Sequence, residues 1–245
     1  MTLNDEKKDF DPRAGESVTP ARVSVGRCGT RPPTIAWIRF RQDHALARDA
    51  IRGQLSDEFL TGFISGRSIP IVQSTASSLD DFISFPPKGK RLDEESIARL
   101  VGICPQPVDV QIVICDGLSA RAVERNVPDL LPMIEDGLRL GGISSGLPVL
   151  VRFGRVAVAD QIAHALKAKL VINLIGERPG LSCSEGLSAY ITYDPGPQTI
   201  SSDRTVVSNI HPGGTPAVEA GAYIVSLAKT ILEHKVSGVK LQKLS

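Results

Sequence analysis

The sequence has few aromatic residues and almost no net charge. Aromatic residues make up 4% of its 245 positions, Trp37 is the single tryptophan, and 28 Lys and Arg balance 27 Asp and Glu to a formal net charge of +1. Proteins that bind nucleic acid need many cations to neutralise phosphates, and single-strand binders add aromatic platforms for the bases. The composition therefore argues against a nucleic-acid-binding protein.

Cysteine and histidine are also scarce and widely spaced. The four cysteines, Cys28, Cys104, Cys115 and Cys183, form no C-x-x-C pair, and the four histidines show no metal-ligand spacing. This pattern predicts neither a zinc site nor a disulfide scaffold. His211 differs from the other histidines because it lies in a glycine-rich stretch, where it can contact a ligand, a subunit partner or loop carbonyls.

Long hydrophobic runs are missing as well. No apolar segment approaches the roughly 20 residues that a membrane-spanning helix needs, and residues 1–16 have no apolar stretch of the signal-peptide type. We therefore predict a cytoplasmic protein. Residues 1–17 are rich in Asp, Glu, Lys and Gly, which predicts a flexible tail because they offer almost nothing to bury.

Residues 18–105 have the pattern of a small, mainly helical domain. Apolar residues near helical spacing predict an amphipathic helix over 35–54 and a second helix over 93–103. Asp93 is expected to cap the second helix. Residues 74–90 are rich in Ser and Pro, and the pattern there indicates no defined element.

From residue 106 to the end, short β-branched runs replace this pattern. Strands are predicted at residues 108–115, 148–153 and 170–175, with a weaker one at 189–193. Helices are predicted at 119–140, 159–167 and 215–235. Nearly continuous apolar strands that alternate with helices are typical of a doubly wound, mostly parallel α/β sheet. We therefore assign residues 106–245 to an α/β domain.

Polar, glycine-bearing loops follow the predicted strands, at 116–119, 152–156, 176–180 and 203–216. In an open α/β sheet, ligands bind beyond the carboxyl ends of the strands. Arg155, Arg178 and Arg204 in these loops suit a large polar ligand that carries phosphate or amide groups. Thr215 and Pro216 are expected to open the last helix as its N-cap and first residue. Each loop taken alone is equally compatible with ordinary turn chemistry.

No self-contained active site is recognisable. Residues 142–146 fit G-x-S-x-G, but a nucleophile elbow follows a strand and precedes a helix, whereas here a predicted helix precedes and a strand follows. A hydrolase with Ser144 as its nucleophile is therefore rejected. No G-x-G-x-x-G follows a strand and no P-loop motif occurs. We predict neither catalytic residues nor metal ligands in this chain.

Five motifs in a fixed order make the sequence recognisable. They are VGRCGTRP at 25–32, ICDGLS at 114–119, VRFGRV at 151–156, IGERPGL at 175–181 and SNIHPGGTP at 208–216. Together they resemble the light chain of ethanolamine ammonia-lyase, and the resemblance extends from about residue 19 to residue 245.

The resemblance implies one half of an adenosylcobalamin-dependent lyase that converts ethanolamine to acetaldehyde and ammonia by a radical rearrangement. In that family the large chain, a TIM barrel, holds the substrate and the reacting face of the corrin. The light chain has a helical N-terminal part and a Rossmann-like C-terminal part, and it covers the other side of the cobalamin. A hetero-oligomer with the large chain is therefore implied, and the helix that carries Trp37 is our candidate for that contact.

The resemblance also implies three cobalamin contacts, at Val156, Glu177 and Val206. The two valines would contribute backbone hydrogen bonds or packing, and Glu177 would accept hydrogen bonds from corrin amides. Relatives have Cys where this chain has Val206, so a thiol contact is lost here. The chain has no D-x-H-x-x-G motif, which implies that the cofactor keeps its own base as the lower ligand of cobalt.

Two further expectations concern location and function class. Relatives carry a longer N-terminal extension that is linked to packaging in a bacterial microcompartment, whereas only about 17 residues precede the shared region here. This favours free cytoplasmic enzyme over encapsulation. The alternative function is a non-catalytic α/β interaction or nucleotide-binding module, in which the loops serve only as turns.

Overall fold

The structure, a computed structural model, describes residues 25–244, so the predicted tail at 1–17 lies outside the described residues. Seven α-helices occur in this part of the chain: α1 (Thr34–Arg52), α2 (Leu79–Ser84), α3 (Glu94–Ile103), α4 (Ala120–Leu140), α5 (Val158–Ala165), α6 (Ala217–His234) and α7 (Val239–Gln242). A π-helical turn spans Phe59–Ile64, and short 3-10 turns span Lys88–Lys90 and Ser201–Asp203.

Six strands form one sheet: β1 (Ile71–Gln73), β2 (Val110–Cys115), β3 (Val149–Arg152), β4 (Leu170–Gly176), β5 (Leu187–Tyr193) and β6 (Arg204–Ile210). Their order across the sheet is β1-β3-β2-β4-β5-β6. The first four strands in that order are parallel, whereas β5 is antiparallel to β4 and β6 is antiparallel to β5. The predicted α/β class is confirmed, and the sheet is mixed.

Helices cover both faces of the parallel part of the sheet. β2 and β4 are buried along their whole length, so their side chains alternate between two apolar clusters. One cluster joins Ile112 to Leu130 of α4 and Ile224 of α6, and the other joins Val113 to Ile162 of α5. Burial on both faces explains why these strands are nearly continuous apolar runs in the sequence.

Two strands were not predicted. β1 lies in the range that the sequence analysis assigned to the helical domain, yet it pairs with β3 in the sheet. β6 occupies residues 204–210, which the sequence analysis treated as part of a loop. β6 lies at the sheet edge and buries only Val207 and Ile210, so it lacks the apolar run that marks a central strand.

Helices α1, α3, α4, α5 and α6 lie where the sequence predicted helices. Asp93 caps α3 as predicted, because its Oδ1 accepts a 2.7 Å hydrogen bond from the backbone N–H of Ser96. Within residues 74–90, α2 forms behind a Ser78 cap that the sequence analysis missed. The predicted start of α6 was wrong by one residue: Pro216 occupies the N-cap position in an extended conformation, and the helix begins at Ala217.

The helix α1 packs weakly on the rest of the described chain. Ala47 is its only buried residue, whereas Ile35, Trp37, Ile38 and Leu46 are all at least 50% exposed. Its apolar residues therefore lie at the surface. Within residues 25–244, no helix combines the length and the apolar character that crossing a membrane requires.

Candidate functional site

The carboxyl ends of strands β2, β3, β4 and β6 all lie on the same side of the sheet, which we call the rim. In the register of the sheet, Gly176 at the end of β4 lies beside Leu187, and Leu187 lies beside Ile210 at the end of β6. β4 and β6 are both antiparallel to β5, so they run in the same direction. Arg204 at the start of β6 therefore lies at the opposite end of the strand from the rim. Three predicted loops and the last part of the fourth therefore share the rim.

Asp116, directly after β2, fixes the loop that follows β3. Its carboxylate accepts hydrogen bonds from the backbone N–H groups of Phe153 (2.8 Å) and Gly154 (3.1 Å). Phe153 has a φ of 54°, an unfavourable left-handed conformation that these two bonds stabilise. Burial raises the pKa of Asp116 to about 6, although the backbone hydrogen bonds act in the opposite direction. Asp116 therefore positions the segment that leads to Val156.

Two rim loops approach each other through glycine. The backbone N–H of Leu118 donates a 3.0 Å hydrogen bond to the carbonyl of Gly176. Gly117 has a φ of 59°, and a Cβ there would lie 2.2 Å from the Gly176 oxygen. A side chain at Gly117 would therefore push the two loops apart. At these two positions the glycines serve close packing rather than freeing N–H groups for a ligand.

Three residues lie side by side on the neighbouring strands β4, β5 and β6. Asn173 on β4 lies opposite Tyr190 on β5, and Tyr190 lies opposite Val206 on β6. Residues directly opposite each other on neighbouring strands share a face, with Cβ atoms about 5 Å apart. We call Asn173, Tyr190 and Val206 the cross-strand row.

The cross-strand row brings the three predicted contact residues together. The side-chain amide of Asn173 donates a 3.2 Å hydrogen bond to the carbonyl of Val156, and the Tyr190 hydroxyl donates a 2.9 Å hydrogen bond to Glu177 Oε1. Val206 is itself the third member of the row and is 44% exposed. Residues that are 50 positions apart in the sequence thus border one patch of the sheet.

Asn173 and Tyr190 are functional candidates that sequence reasoning missed. Both lie inside strands that were assigned to the core, and Asn173 is the one polar residue in the run LVINLIG. A polar residue in a strand buried on both faces needs a hydrogen-bond partner. The single polar residue in an otherwise apolar strand was therefore the sequence feature by which Asn173 could have been recognised.

The side chain of Arg204 is buried beside the cross-strand row, where its positive charge partly offsets the rise in the pKa of Tyr190, and its Nε has no partner within residues 25–244. It forms an ion pair with Asp160 of α5, and both side chains are less than 10% exposed. Burial raises the pKa of Asp160, and the bond to Arg204 opposes that rise. Arg204 therefore ties the start of β6 to α5.

His211 is satisfied within its own turn. Its Nδ1 accepts a 3.1 Å hydrogen bond from the backbone N–H of Gly213, and its Nε2 lies 2.8 Å from Asn209 Oδ1. Acceptance at Nδ1 places the proton on Nε2, which then donates to Asn209. Of the roles left open for His211, the structure favours the structural one.

Ser144 is likewise engaged by the fold. Its Oγ donates to Asp109 Oδ2 at 2.7 Å and accepts from the backbone N–H of Asp109 at 2.9 Å. Lys169 Nζ lies 2.8 Å from the other carboxylate oxygen of Asp109. This hydrogen-bonded group explains the G-x-S-x-G match without a nucleophile. Among residues 25–244 no group of three or more His, Cys, Asp or Glu could hold a metal ion.

Buried polar atoms without partners lie beside the predicted contacts. Ser188 is fully buried on β5, two residues from Tyr190 and therefore on the same face, and its Oγ has no hydrogen-bond partner within the described chain. The Nε of Arg155, next to Val156, is also unpartnered. Gln111 Oε1, Asn173 Oδ1 and Arg204 Nε are unpartnered in the same way, so such an atom marks a buried polar position and does not by itself indicate a ligand.

Comparison with known proteins identifies the family to which the chain is related. The family described as "Ethanolamine ammonia-lyase light chain (EutC)" matches residues 13–242. The chain is also 43% identical over 224 residues to a protein of Fusobacterium nucleatum named "Ethanolamine ammonia-lyase small subunit", an alignment that covers 91% of this chain and 75% of the relative. The chain therefore belongs to the family of ethanolamine ammonia-lyase light chains.

Proposed function

We propose that this chain is the subunit that covers adenosylcobalamin in an ethanolamine ammonia-lyase, which deaminates ethanolamine to acetaldehyde and ammonia. The observation that carries the proposal is the convergence of Val156, Glu177 and Val206 on the cross-strand row. When bound, adenosylcobalamin supplies the radical chemistry, and the protein supplies binding and orientation.

The residues present fit the periphery of a corrin, which carries many amide groups. Glu177 keeps Oε2 as an acceptor for an amide N–H, because Oε1 is occupied by Tyr190. Ser188 is fully buried, so its hydroxyl lies beneath this surface and is not a contact for a bound cofactor. Glu177 is therefore the side chain that we propose as the acceptor for a corrin amide.

The two valines have a different role from Glu177. The carbonyl of Val156 already accepts a hydrogen bond from Asn173, and its side chain packs in part against the apolar cluster of α5, so its N–H is the group that remains for the cofactor. Val206 presents an exposed apolar side chain on an edge strand, which suits packing against the corrin rather than hydrogen bonding. The substitution of Val for the family's Cys is therefore compatible with a packing contact.

We further propose that a large subunit holds the substrate, in a hetero-oligomer with several copies of each chain. The exposed apolar residues of α1, Trp37 and Ile38 among them, support a contact with that partner. We also propose that residues 106–245 form a Rossmann-like domain built on the parallel strands β2, β3 and β4, and that residues 18–105 form a second domain whose strand β1 extends that sheet. We further propose that the complex works in the cytoplasm.

The decisive experiment is to co-express the chain with a large subunit of this family and to measure acetaldehyde release. We expect release only when both chains, ethanolamine and adenosylcobalamin are present. Each chain alone, and the complex without cofactor, serve as controls. Formation of no complex and release of no acetaldehyde would favour the non-catalytic α/β module instead.

A further inference from the structure

Arg155 is held rigidly at the rim. Its backbone N–H donates to the carbonyl of Gly89 at 2.7 Å, and its Nη2 donates to the carbonyl of Phe82 at 3.1 Å. The guanidinium carbon lies 4.3 Å from the centroid of the Phe82 ring, a cation-π contact. These contacts fix the guanidinium group in place, and within residues 25–244 only its Nη2 has a hydrogen-bond acceptor.

Arg178 brings a second positive charge to the same part of the rim. It lies in the loop after β4, directly after Glu177, and its side chain is exposed. Burial lowers the pKa of Arg155, and the positive charge of Arg178 lowers it further. The loops that carry the two arginines are both bonded to the segment after β2: the Asp116 carboxylate accepts from the Gly154 N–H, and the Leu118 N–H donates to the Gly176 carbonyl.

Neither arginine has a carboxylate partner within residues 25–244. Elsewhere in that range arginines do form ion pairs: Arg52 with Asp80, Arg67 with Glu135, Arg121 with Glu185, Arg139 with Asp136, and Arg204 with Asp160. Of the acidic groups of the rim, Asp116 is held by backbone N–H groups and one oxygen of Glu177 by Tyr190, and neither forms an ion pair with Arg155 or Arg178. The positive charge of Arg155 and Arg178 is therefore available to an anion.

We propose that Arg155 and Arg178 bind the phosphate diester in the nucleotide arm of cobalamin. This inference rests on the proposed function, since it assigns one chemical group of that cofactor to two residues of this chain. A guanidinium group binds phosphate through charge-assisted, forked hydrogen bonds, and phosphate is the anionic group in the cobalamin nucleotide arm. The same arm carries the lower base, so the contact holds the lower side of the cofactor against the loops after β3 and β4.

The test compares two forms of the cofactor on the complex with the large subunit. Adenosylcobinamide lacks the nucleotide arm and its phosphate but keeps the corrin amides. Binding of adenosylcobalamin and of adenosylcobinamide is measured by absorption titration for wild type, Arg178→Ala and Arg139→Ala. Arg139 is the matched control, because it is an exposed arginine at the end of α4, away from the rim loops.

We expect Arg178→Ala to weaken adenosylcobalamin binding roughly tenfold or more, the range for a lost hydrogen bond to a charged group. Its affinity for adenosylcobinamide should stay within about twofold of wild type, and Arg139→Ala should change neither affinity. Because Arg178 is exposed, the variant should unfold at the same temperature as wild type.

Three outcomes would overturn the proposal. An equal loss for both cofactor forms would mean that Arg178 does not recognise the arm. Weaker assembly with unchanged cobalamin affinity would assign the arginines to the large subunit. A wild-type cobinamide titration that responds to inorganic phosphate would assign them to free phosphate. Failure of wild type to bind either cofactor form would contradict the proposed function itself.

Discussion

The Tyr190 hydroxyl donates a 2.9 Å hydrogen bond to Glu177 Oε1 and so joins the interior of the sheet to a rim loop. Burial raises the pKa of Tyr190 to about 12, and the bond to Glu177 adds to the rise, so the hydroxyl stays a donor at neutral pH. Glu177 Oε2 has no hydrogen-bond partner within residues 25–244 and remains an acceptor. Tyr190 is therefore a positioning residue for the predicted contact at Glu177.

Removal of the Glu177 carboxylate should weaken cobalamin binding without disturbing assembly. We expect Glu177→Ala to lower adenosylcobalamin affinity about tenfold, and Tyr190→Phe to lower it by a smaller factor because the carboxylate remains but is no longer held. The double variant should be no weaker than Glu177→Ala, since Tyr190 acts through Glu177. Absorption titration gives the affinities, and size-exclusion chromatography follows large-chain binding. Unchanged affinity in Glu177→Ala would reject its role.

Asp116 should make the protein less stable as the pH rises from about 4 to about 6. Its pKa is raised from 3.8 to about 6 in the folded chain, so the favourable contribution of its protonated form is complete below pH 4 and is lost as the pH passes 6. Two pKa units correspond to about 3 kcal/mol. Asp116→Asn should remove this part of the pH dependence in urea unfolding, whatever its effect on absolute stability. Identical pH slopes for the two proteins would contradict this.

Ser144 should matter for stability and not for turnover. Ser144→Ala removes hydrogen bonds to Asp109 and should cost about 1 to 2 kcal/mol of unfolding free energy, while acetaldehyde release by the assembled complex stays unchanged. Lost turnover in a folded Ser144→Ala complex would revive the hydrolase-type interpretation of this serine.

Asp109, the hydrogen-bond partner of Ser144 and Lys169, should make the protein less stable as the pH falls, the opposite of the effect expected for Asp116. Hydrogen bonds from Lys169 and Ser144 lower its pKa to about 2, so its contribution to stability is present above pH 4 and is lost as the pH falls through 2. Asp109→Asn should therefore flatten the acid limb of the stability curve. Unfolding followed by circular dichroism between pH 5 and pH 2 tests this, with wild type as reference.

Charges placed on the apolar side of α1 should weaken assembly with the large subunit. Trp37 is 50% exposed and Ile38 is 55% exposed, so Trp37→Asp with Ile38→Asp should leave the isolated chain folded. Complex formation, followed by sedimentation, should fall at least tenfold, because two desolvated carboxylates would oppose the contact. Arg48→Asp, which changes a charge on the same helix, serves as the control. Normal assembly of the double variant would place the large subunit elsewhere.

Sequence patterns were sufficient where burial is uniform. β2 and β4 are buried on both faces, so apart from Gln111 and Asn173 they are apolar, and they were recognised directly. The Asp93 cap acts within three residues, through a local hydrogen bond that a short motif can carry. The family motifs likewise marked the rim loops before any geometry was available.

Only the tertiary structure could decide which polar groups meet. The edge strand β6 is half exposed, so its sequence has the polar character of a loop. Pairing with β5, which the sequence alone does not show, makes it a strand. Arg204 and Asp160 are 44 residues apart, and the ion pair that they form joins β6 to α5. Tyr190 meets Glu177 because an antiparallel turn brings β5 back beside β4. Such contacts depend on strand order and register, which local sequence does not encode, and they determine which side chains remain free for the cofactor.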